Sequence, residues 1–335
     1  MTTTVYIIRH AEAEGNVYRR CHGQYNALLT TRAYKQLPYL AKRFDNVPLA
    51  AVYSSDLFRA RVTAQAVAEP HHLSVETRPV LREIDMGDWE DIPWAELPHT
   101  WPEQYALWCA RPWEAAPPHG ETVMQAGQRM LDGVRAIVRE NEGKEVAVVT
   151  HGSAIRGMLT IAHGFAPEQM GEIGWGDICV PKLEFDENGN IDVVYENDAS
   201  HLPQEYSTFA SIGWTNTKGI PASPQIWFRR ADPKNPQDVD KIVGFMRELH
   251  KNAYGTDANL DPDALIRDVE RAQKVSPRAC TFGCLESGEE VALVYLKTWW
   301  EEQPEIGLVG GFCIAGDYRG CGLSGQILGQ AISVY

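Results

Sequence analysis

The chain has 335 residues, 44% hydrophobic and 23% charged, with a formal net charge of -14 and a pI near 5.2. That length points to two domains rather than one, and the composition is that of an ordinary globular protein. The acidic balance argues against nucleic acid or an anionic membrane as general partners, and no stretch approaches the ~18 apolar residues of a membrane span.

The opening Met-Thr-Thr-Thr-Val has no basic n-region and no apolar h-region, so no secretory signal is expected. The seven cysteines are scattered and odd in number. Cys280 and Cys284 lie near each other but have no second pair and no neighbouring His. A reduced, cytoplasmic protein without a zinc site is the simplest expectation.

Val5-Tyr6-Ile7-Ile8 is a short apolar run, mostly β-branched, as in a strand buried on both faces. It ends at Arg9-His10, and in open parallel sheets ligands bind at the carboxyl ends of strands. A polar, turn-rich segment over residues 20–26 follows. Thr30 or Thr31 is an N-cap candidate for a helix with Leu37, Leu40, Ala41 and Phe44 at helical spacing, which Pro38 can shift or kink. Leu49 to Tyr53 is the second buried strand. It ends in Ser54-Ser55-Asp56, and the next helix carries Arg59 in its first turn and Arg61 on a solvated face.

Residues 75–80 read as a short edge strand and residues 81–90 as a structured loop of mixed acidic and apolar residues. Residues 93–118 carry Trp94, Trp101, Trp108 and Trp113. They are expected to form short helices, either a satellite hydrophobic cluster or a lid over a pocket. His119-Gly120-Glu121-Thr122 opens a helix through Val138. Val146 to Thr150 is the third buried strand; it ends at His151, and a helix over residues 154–162 carries Arg156 in its first turn. Glu187-Asn188-Gly189-Asn190 is a hairpin turn between strands over residues 182–186 and 191–195.

Three buried strands thus end at Arg9-His10, at Ser54-Ser55-Asp56 ahead of Arg59, and at His151. In a parallel sheet these groups converge on one rim. Two histidines and two arginines there suit a phosphoryl group, whose charge is spread over three oxygens and is met by positioned cationic donors. Arginine offers a fork of donors, and a neutral imidazole nitrogen can be a nucleophile. A carboxyl group can protonate the leaving alkoxide.

These segments resemble, in order, those of the histidine phosphatase superfamily, with the phosphoglycerate-mutase-like fold. Arg9-His10-Ala11-Glu12 is similar to its Arg-His-Gly-Glu signature, with Asn16 on the Asn that follows and Leu29-Thr30 on its helix entry. Residues 54–64 resemble Ser-Ser-Pro-Leu-x-Arg-Ala-x-x-Thr-Ala, with Asp56 for Pro. Residues 81–90 resemble its acid loop, Gly120-Glu121-Thr122 its Gly-Glu-Ser, and residues 148–152 its second-histidine strand. The resemblance spans about Val5 to Asn197. It implies an α/β fold, a three-layer α/β/α sandwich with a mostly parallel sheet, over residues 1–200. It implies His10 as the nucleophile, Arg9, Arg59 and His151 on the phosphoryl oxygens with Asn16 assisting, Glu83 as proton donor and then base, and no metal or other cofactor. Gly87-Asp88-Trp89-Glu90 looks like the phosphatase branch rather than the mutases. The implied partner is a small phosphorylated substrate.

Residues 201–224 are polar and turn-rich and read as a tail and linker. Beyond them the pattern is a strand (225–231), a helix (239–253), a second helix entered through Asp261-Pro262, a strand pair joined at Ser287-Gly288, and a further strand (307–315). Then come Arg319-Gly320-Cys321-Gly322-Leu323-Ser324 and a last helix. A strand, a Gly-rich turn and a helix make a cradle of backbone N–H groups for a pyrophosphate. This arrangement resembles the coenzyme A motif of the GNAT N-acetyltransferase superfamily, which implies a GNAT-like α/β domain over residues 225–335. Acetyl-CoA would lie on Arg319, Gly320, Gly322 and Ser324. The family continues past the cradle helix while the chain stops at Tyr335, so the expectation is an incomplete domain that binds acetyl-CoA weakly or not at all.

The leading reading is a metal-independent phosphomonoesterase carrying an acetyl-CoA-binding-like module. The alternatives are an N-acetyltransferase with a regulatory phosphatase domain, a phosphoglycerate mutase-type phosphotransferase, and a non-catalytic binding protein. The assembly is left open, with a homodimer as one candidate.

Overall fold

A computed structural model describes residues 1–174, 176, 178–208, 224–299, 303 and 306–335. They fall into two compact units. The first holds Met1–Val17, Cys21–Ile92 and the described residues of Trp101–Ile220; the second holds Tyr18–Arg20, Pro93–Thr100 and the described residues of Pro221–Tyr335.

The first unit is built on strands β1 (Thr3–Arg9), β2 (Leu49–Ser54), β3 (Val75–Thr77), β4 (Glu145–Thr150), β5 (Val180–Phe185) and β6 (Ile191–Asp198). Among the described residues they form a six-stranded sheet in the order β3-β2-β4-β1-β5-β6. The pairs β3–β2, β2–β4 and β4–β1 are parallel, and β5 and β6 close the sheet as an antiparallel hairpin. Alternate residues of the central strands feed two cores. On one face Val5, Ile7, Val146 and Val148 pack with Met130, Val134 and Ile137 of helix α4 (Val123–Glu140) and with Met158 and Leu159 of α5 (Gly152–Ala162). On the other face Ile8, Val52 and Val149 meet Leu40 and Phe44 of α1 (Thr31–Phe44) and Ala60, Ala64 and Val67 of α2 (Phe58–Ala68). Because both faces are covered, the strands read as unbroken apolar runs.

Thr30 caps α1 by accepting the Ala33 N–H at 3.2 Å. Pro38 lies inside that helix on an exposed position, and the helix runs on through it to Phe44. Strand β3 is shorter than its sequence pattern: it stops at Thr77, and a 3₁₀ turn spans Pro79–Leu81. Pro79 has no N–H to continue the ladder. A capping box at Thr122 and Gln125 starts α4. In the Trp-rich stretch, helix α3 (Pro102–Ala110) lies over the fully buried Trp89. The rings of Trp101, Tyr105 and Trp108 stand 6.4, 6.0 and 6.0 Å from the Trp89 ring, the hydrophobic-cluster arrangement.

The second unit has β7 (Trp227–Arg230), β8 (Cys280–Cys284), β9 (Glu290–Lys297) and β10 (Leu308–Ile314), antiparallel throughout in the order β10-β9-β8-β7 among the described residues. Helices α6 (Pro236–Tyr254) and α7 (Pro262–Val275) separate β7 from β8, and α8 (Ser324–Ile332) follows β10. Asp261 caps α7, accepting the N–H groups of Asp263 and Ala264 at 3.0 and 3.1 Å. Ile242, Met246, Val269, Phe282, Leu293 and Ile327 form its core. Most of the expected linker, residues 209–223, lies outside the described residues.

Candidate active site

The rim of the first sheet follows from register. Arg9 stands beside Thr150 and Ser54 beside Val149. Past the strands, the His10 N–H donates to the Thr150 carbonyl and the Ser55 N–H to the Val149 carbonyl, each at 2.9 Å. Three parallel strands therefore end level, and Arg9, His10 and His151 come together there with Arg59 from the first turn of α2.

His10 is only 7% exposed. Its Nδ1 lies 2.6 Å from the Ala11 carbonyl oxygen. A carbonyl only accepts, so Nδ1 carries the proton and a neutral ring presents the Nε2 lone pair. Burial, with Arg59 and then Arg9 adding to it, holds the His10 pKa well below the usual histidine range. His151 is fully buried, 5.0 Å from His10 between ring centroids, with no partner for either ring nitrogen among the described residues. Burial first, then Arg59, His10 and Arg9, push its pKa down as well. Both rings are neutral at ordinary pH.

Arg59 is 1% exposed, and among the described residues it forms no ion pair. Its Nη1 donates to the Tyr25 carbonyl and its Nη2 to the Gly23 carbonyl, both at 2.7 Å. Burial lowers its pKa to about 10, partly offset by Glu83 and Glu90. A buried guanidinium with only neutral acceptors is costly, and an arriving oxyanion relieves that cost. Gly23 is required at its position: φ is +50°, and a Cβ would stand 2.5 Å from the Glu90 carboxylate. Arg9 donates from Nη1 to the Gly176 carbonyl at 3.0 Å.

The half-buried Glu83 faces the same rim. Its Oε1 accepts the N–H groups of Ile84 and Ala154 at 2.9 Å each, and its Oε2 that of Ser153 at 3.2 Å. The carboxylate thus rests on the first turn of α5, which begins directly after His151. Arg129 on α4 clips the main chain around it, donating to the carbonyls of Val80, Arg82 and Glu83 at 2.8 to 3.0 Å. It also pairs with Glu121 through two bonds of 2.9 and 2.8 Å. Asp56, standing where the resemblance has Pro, takes the guanidinium of Arg82 from Nε at 2.7 Å and so ties the acid loop to the end of β2. That pairing holds the Asp56 carboxyl below its usual range.

Residues 5–198 match the histidine phosphatase superfamily (branch 1). The chain belongs to that superfamily. Over 200 residues it is 26% identical to Phosphoserine phosphatase 1 of Hydrogenobacter thermophilus, covering 60% of this chain and 94% of that protein. Over 163 residues it is 32% identical to the probable phosphoglycerate mutase GpmB of Serratia proteamaculans, covering 48% of this chain and 74% of that protein. The solved structure of Bacillus stearothermophilus YhfR aligns at 32% identity and a TM-score of 0.57, over 59% of this chain and 98% of its own length. Membership supports phosphatase or mutase chemistry for the first unit.

Within the superfamily signature, Glu12 lies away from the rim. It is buried and accepts hydroxyl hydrogen bonds from Thr30 and Thr208 at 2.5 and 2.6 Å, fastening α1 and the start of the tail. Asn16 accepts the Ala13 N–H at 2.9 Å through Oδ1, so its amide nitrogen is the atom left for a ligand. Arg156 does not join the rim; it donates to the Met170 carbonyl at 3.0 Å. Reading by residue type passed over Gln24, Glu90 and Arg129. They act through main-chain groups, and only the acid-loop position of Glu90 signalled any of them.

In the second unit Arg319, Gly320, Gly322 and Ser324 share the turn from β10 into α8. Gly320 and Gly322 have φ of +79° and +81°. The Arg319 guanidinium donates to Glu248 at 2.6 Å and to the Ile314 carbonyl at 3.0 Å. Among the described residues no three of His, Cys, Asp or Glu are grouped to hold a metal ion, and no helix is long and apolar enough to cross a membrane.

Proposed function

We propose that the first unit hydrolyses small phosphomonoesters through a phosphohistidine, without a metal ion. The observation that carries this reading is the pairing of His10, whose Nε2 lone pair is presented, with the buried Arg59, which has no carboxylate partner among the described residues. A phosphoryl group docks with its oxygens on Arg9, Arg59, His151 and the Asn16 amide. The Nε2 lone pair of His10 attacks phosphorus. The ester P–O bond breaks, its electron pair stays on the leaving oxygen, and protonated Glu83 gives that oxygen a proton. Water then loses a proton to Glu83 and attacks phosphorus. The N–P bond breaks, its pair returns to Nε2, and inorganic phosphate leaves. The arginines supply the cationic charge that a metal would otherwise bring. The run Gly87-Asp88-Trp89-Glu90 favours hydrolysis over mutase transfer.

For the second unit the proposal is a GNAT-like module for acetyl-CoA. Support comes from the order β7, two helices, three antiparallel strands, Gly-rich turn and helix. Arg319 is engaged by Glu248, so backbone N–H groups of the 320–324 turn would carry the pyrophosphate. Calorimetry with acetyl-CoA tests this module: weak heat or none is expected, and micromolar binding would overturn that expectation.

The phosphatase reading is tested with a panel of phosphomonoesters, with and without EDTA. Turnover unchanged by EDTA is expected. Activity lost in EDTA and restored by Mg²⁺ or Zn²⁺ contradicts it.

A further inference from the structure

Arg59 is aimed by a loop outside its own helix. The two carbonyls that receive its guanidinium belong to Gly23 and Tyr25, and the peptide between them is held from the other side. The Gln24 N–H donates to Glu90 Oε1 at 2.6 Å, and the same oxygen accepts the Met86 N–H at 3.4 Å. The Gln24 side chain bridges the acid loop, donating to the Glu83 carbonyl at 3.2 Å and accepting from Arg82 Nη1 at 3.3 Å. Gly23 packs so closely on Glu90 that no side chain fits between them. The exposed Asn26 anchors the far end of the loop by accepting the Phe58 N–H, the first of α2, at 2.7 Å. One carboxylate, on the loop that also carries Glu83, thus fixes the strip of main chain on which Arg59 rests. Glu90 forms no ion pair with Arg59, so it orients the guanidinium without occupying the donors a phosphoryl oxygen needs.

We propose that Glu90 is a positioning residue that sets the site's affinity for a phosphoryl group by clamping, through the Gln24 N–H, the two carbonyls that aim Arg59. This inference rests on the phosphoryl reading of the same site. Two other roles for Glu90 make different demands. A proton donor must lose its function when converted to an amide. A pure counter-charge loses its function whenever the charge goes, whatever replaces it. A clamp needs only an acceptor oxygen, which Gln retains.

The test uses the full chain, with inorganic phosphate as the calorimetric probe and p-nitrophenyl phosphate for kinetics. Glu90→Ala should weaken phosphate binding about ten-fold or more and raise KM with a smaller change in kcat, as expected when ground and transition state lose the same interaction. Glu90→Gln should recover most of that loss. In an Arg59→Ala background, Glu90→Ala should change phosphate binding by less than about two-fold, because the group it positions is gone. Wild-type binding by Glu90→Ala overturns the inference, and so do penalties that multiply in the double variant. So does a folded Glu90→Gln that is as weak as Glu90→Ala or that loses kcat only with poor leaving groups. If Glu90→Ala fails to fold, Glu90→Met, which also lacks an acceptor oxygen, takes its place in each comparison. A wild-type protein that binds no phosphate and turns over no monoester overturns the phosphatase reading itself; wild-type activity with an unaffected Glu90→Ala overturns this inference alone.

Discussion

Arg59, buried in the first unit, and Arg229, whose side chain is 34% exposed in the second, are satisfied in opposite ways. Arg229 donates to both carboxylate oxygens of Asp238 at 2.9 Å and to Glu290 at 2.6 Å, and it lies 4.9 Å over the Phe282 ring. Arg59 is more deeply buried and meets only carbonyl oxygens. A cation whose charge is matched by its own fold is part of the framework. A buried cation left unmatched is poised for an anion from outside. The same contrast separates the units as wholes: the first gathers imidazoles and guanidinium groups at the ends of parallel strands, while the second spends its charged groups on internal pairs.

The sharpest way to break this contrast is to remove each arginine. Arg59→Ala should lower kcat/KM by about 10²–10³-fold, the size of losing one strong donor to a developing oxyanion. Thermal stability should hold or rise, since an uncompensated buried charge is removed. Arg59→Lys should rescue little, because an ammonium cannot span two carbonyls and a phosphoryl group at once. Retained activity in Arg59→Ala would abolish the distinction.

Arg129 lies between these extremes. It is paired with Glu121 yet also holds the main chain around Glu83. Arg129→Met should reduce turnover of alkyl phosphates about ten-fold and that of p-nitrophenyl phosphate less, as a displaced proton donor matters most for poor leaving groups. Equal losses on both substrates would make Arg129 merely structural.

Arg229→Met should leave phosphatase activity intact and cost the second unit about 1–3 kcal/mol, because Asp238, 4% exposed, then loses its charged partner and keeps the Asp232 N–H. Urea unfolding followed alongside activity measures both. A further effect concerns pH. His10 and His151 have folded pKa values below their unfolded value near 6.5, chiefly through burial. Below pH 6.5 the unfolded chain binds protons that the folded unit refuses. Stability should therefore fall with decreasing pH, by up to about 1.4 kcal/mol per pH unit for each histidine, and be unaffected by them above it. Half-buried His201, its pKa lowered to about 4 chiefly by burial, adds to the slope, so urea midpoints at pH 7.5 and 5.0 test it and His151→Asn should remove about a third. The kcat/KM profile should show no acid limb at 6.5.

Much of this was legible in the residues. The runs Val5–Ile8, Leu49–Tyr53 and Val146–Thr150 identify strands buried on both faces, and the polar residues after each run lie on the rim. Asn188-Gly189 marked the β5–β6 turn, where Gly189 has φ of +82°. What stayed hidden runs through the backbone. The Gly23 and Tyr25 carbonyls that receive Arg59, and the Gln24 N–H that Glu90 grips, carry no side-chain signature. Arg129 looked like one more cation on a helix until α4 placed it over residues 80–83. Strand β3 read too long because its apolar content continued past Thr77, and Pro79 ended the ladder.

The central claim is that His10 takes the phosphoryl group while Glu83 moves only protons. Rapid-quench measurement of acid-labile phosphate during p-nitrophenyl phosphate turnover tests it most directly. The good leaving group makes phosphorylation largely independent of Glu83, whereas hydrolysis of the intermediate needs a base. Glu83→Gln should accumulate phosphoenzyme on His10, and His10→Ala should form none. Equal phosphoenzyme in both variants, or label on any residue other than His10, would contradict the account.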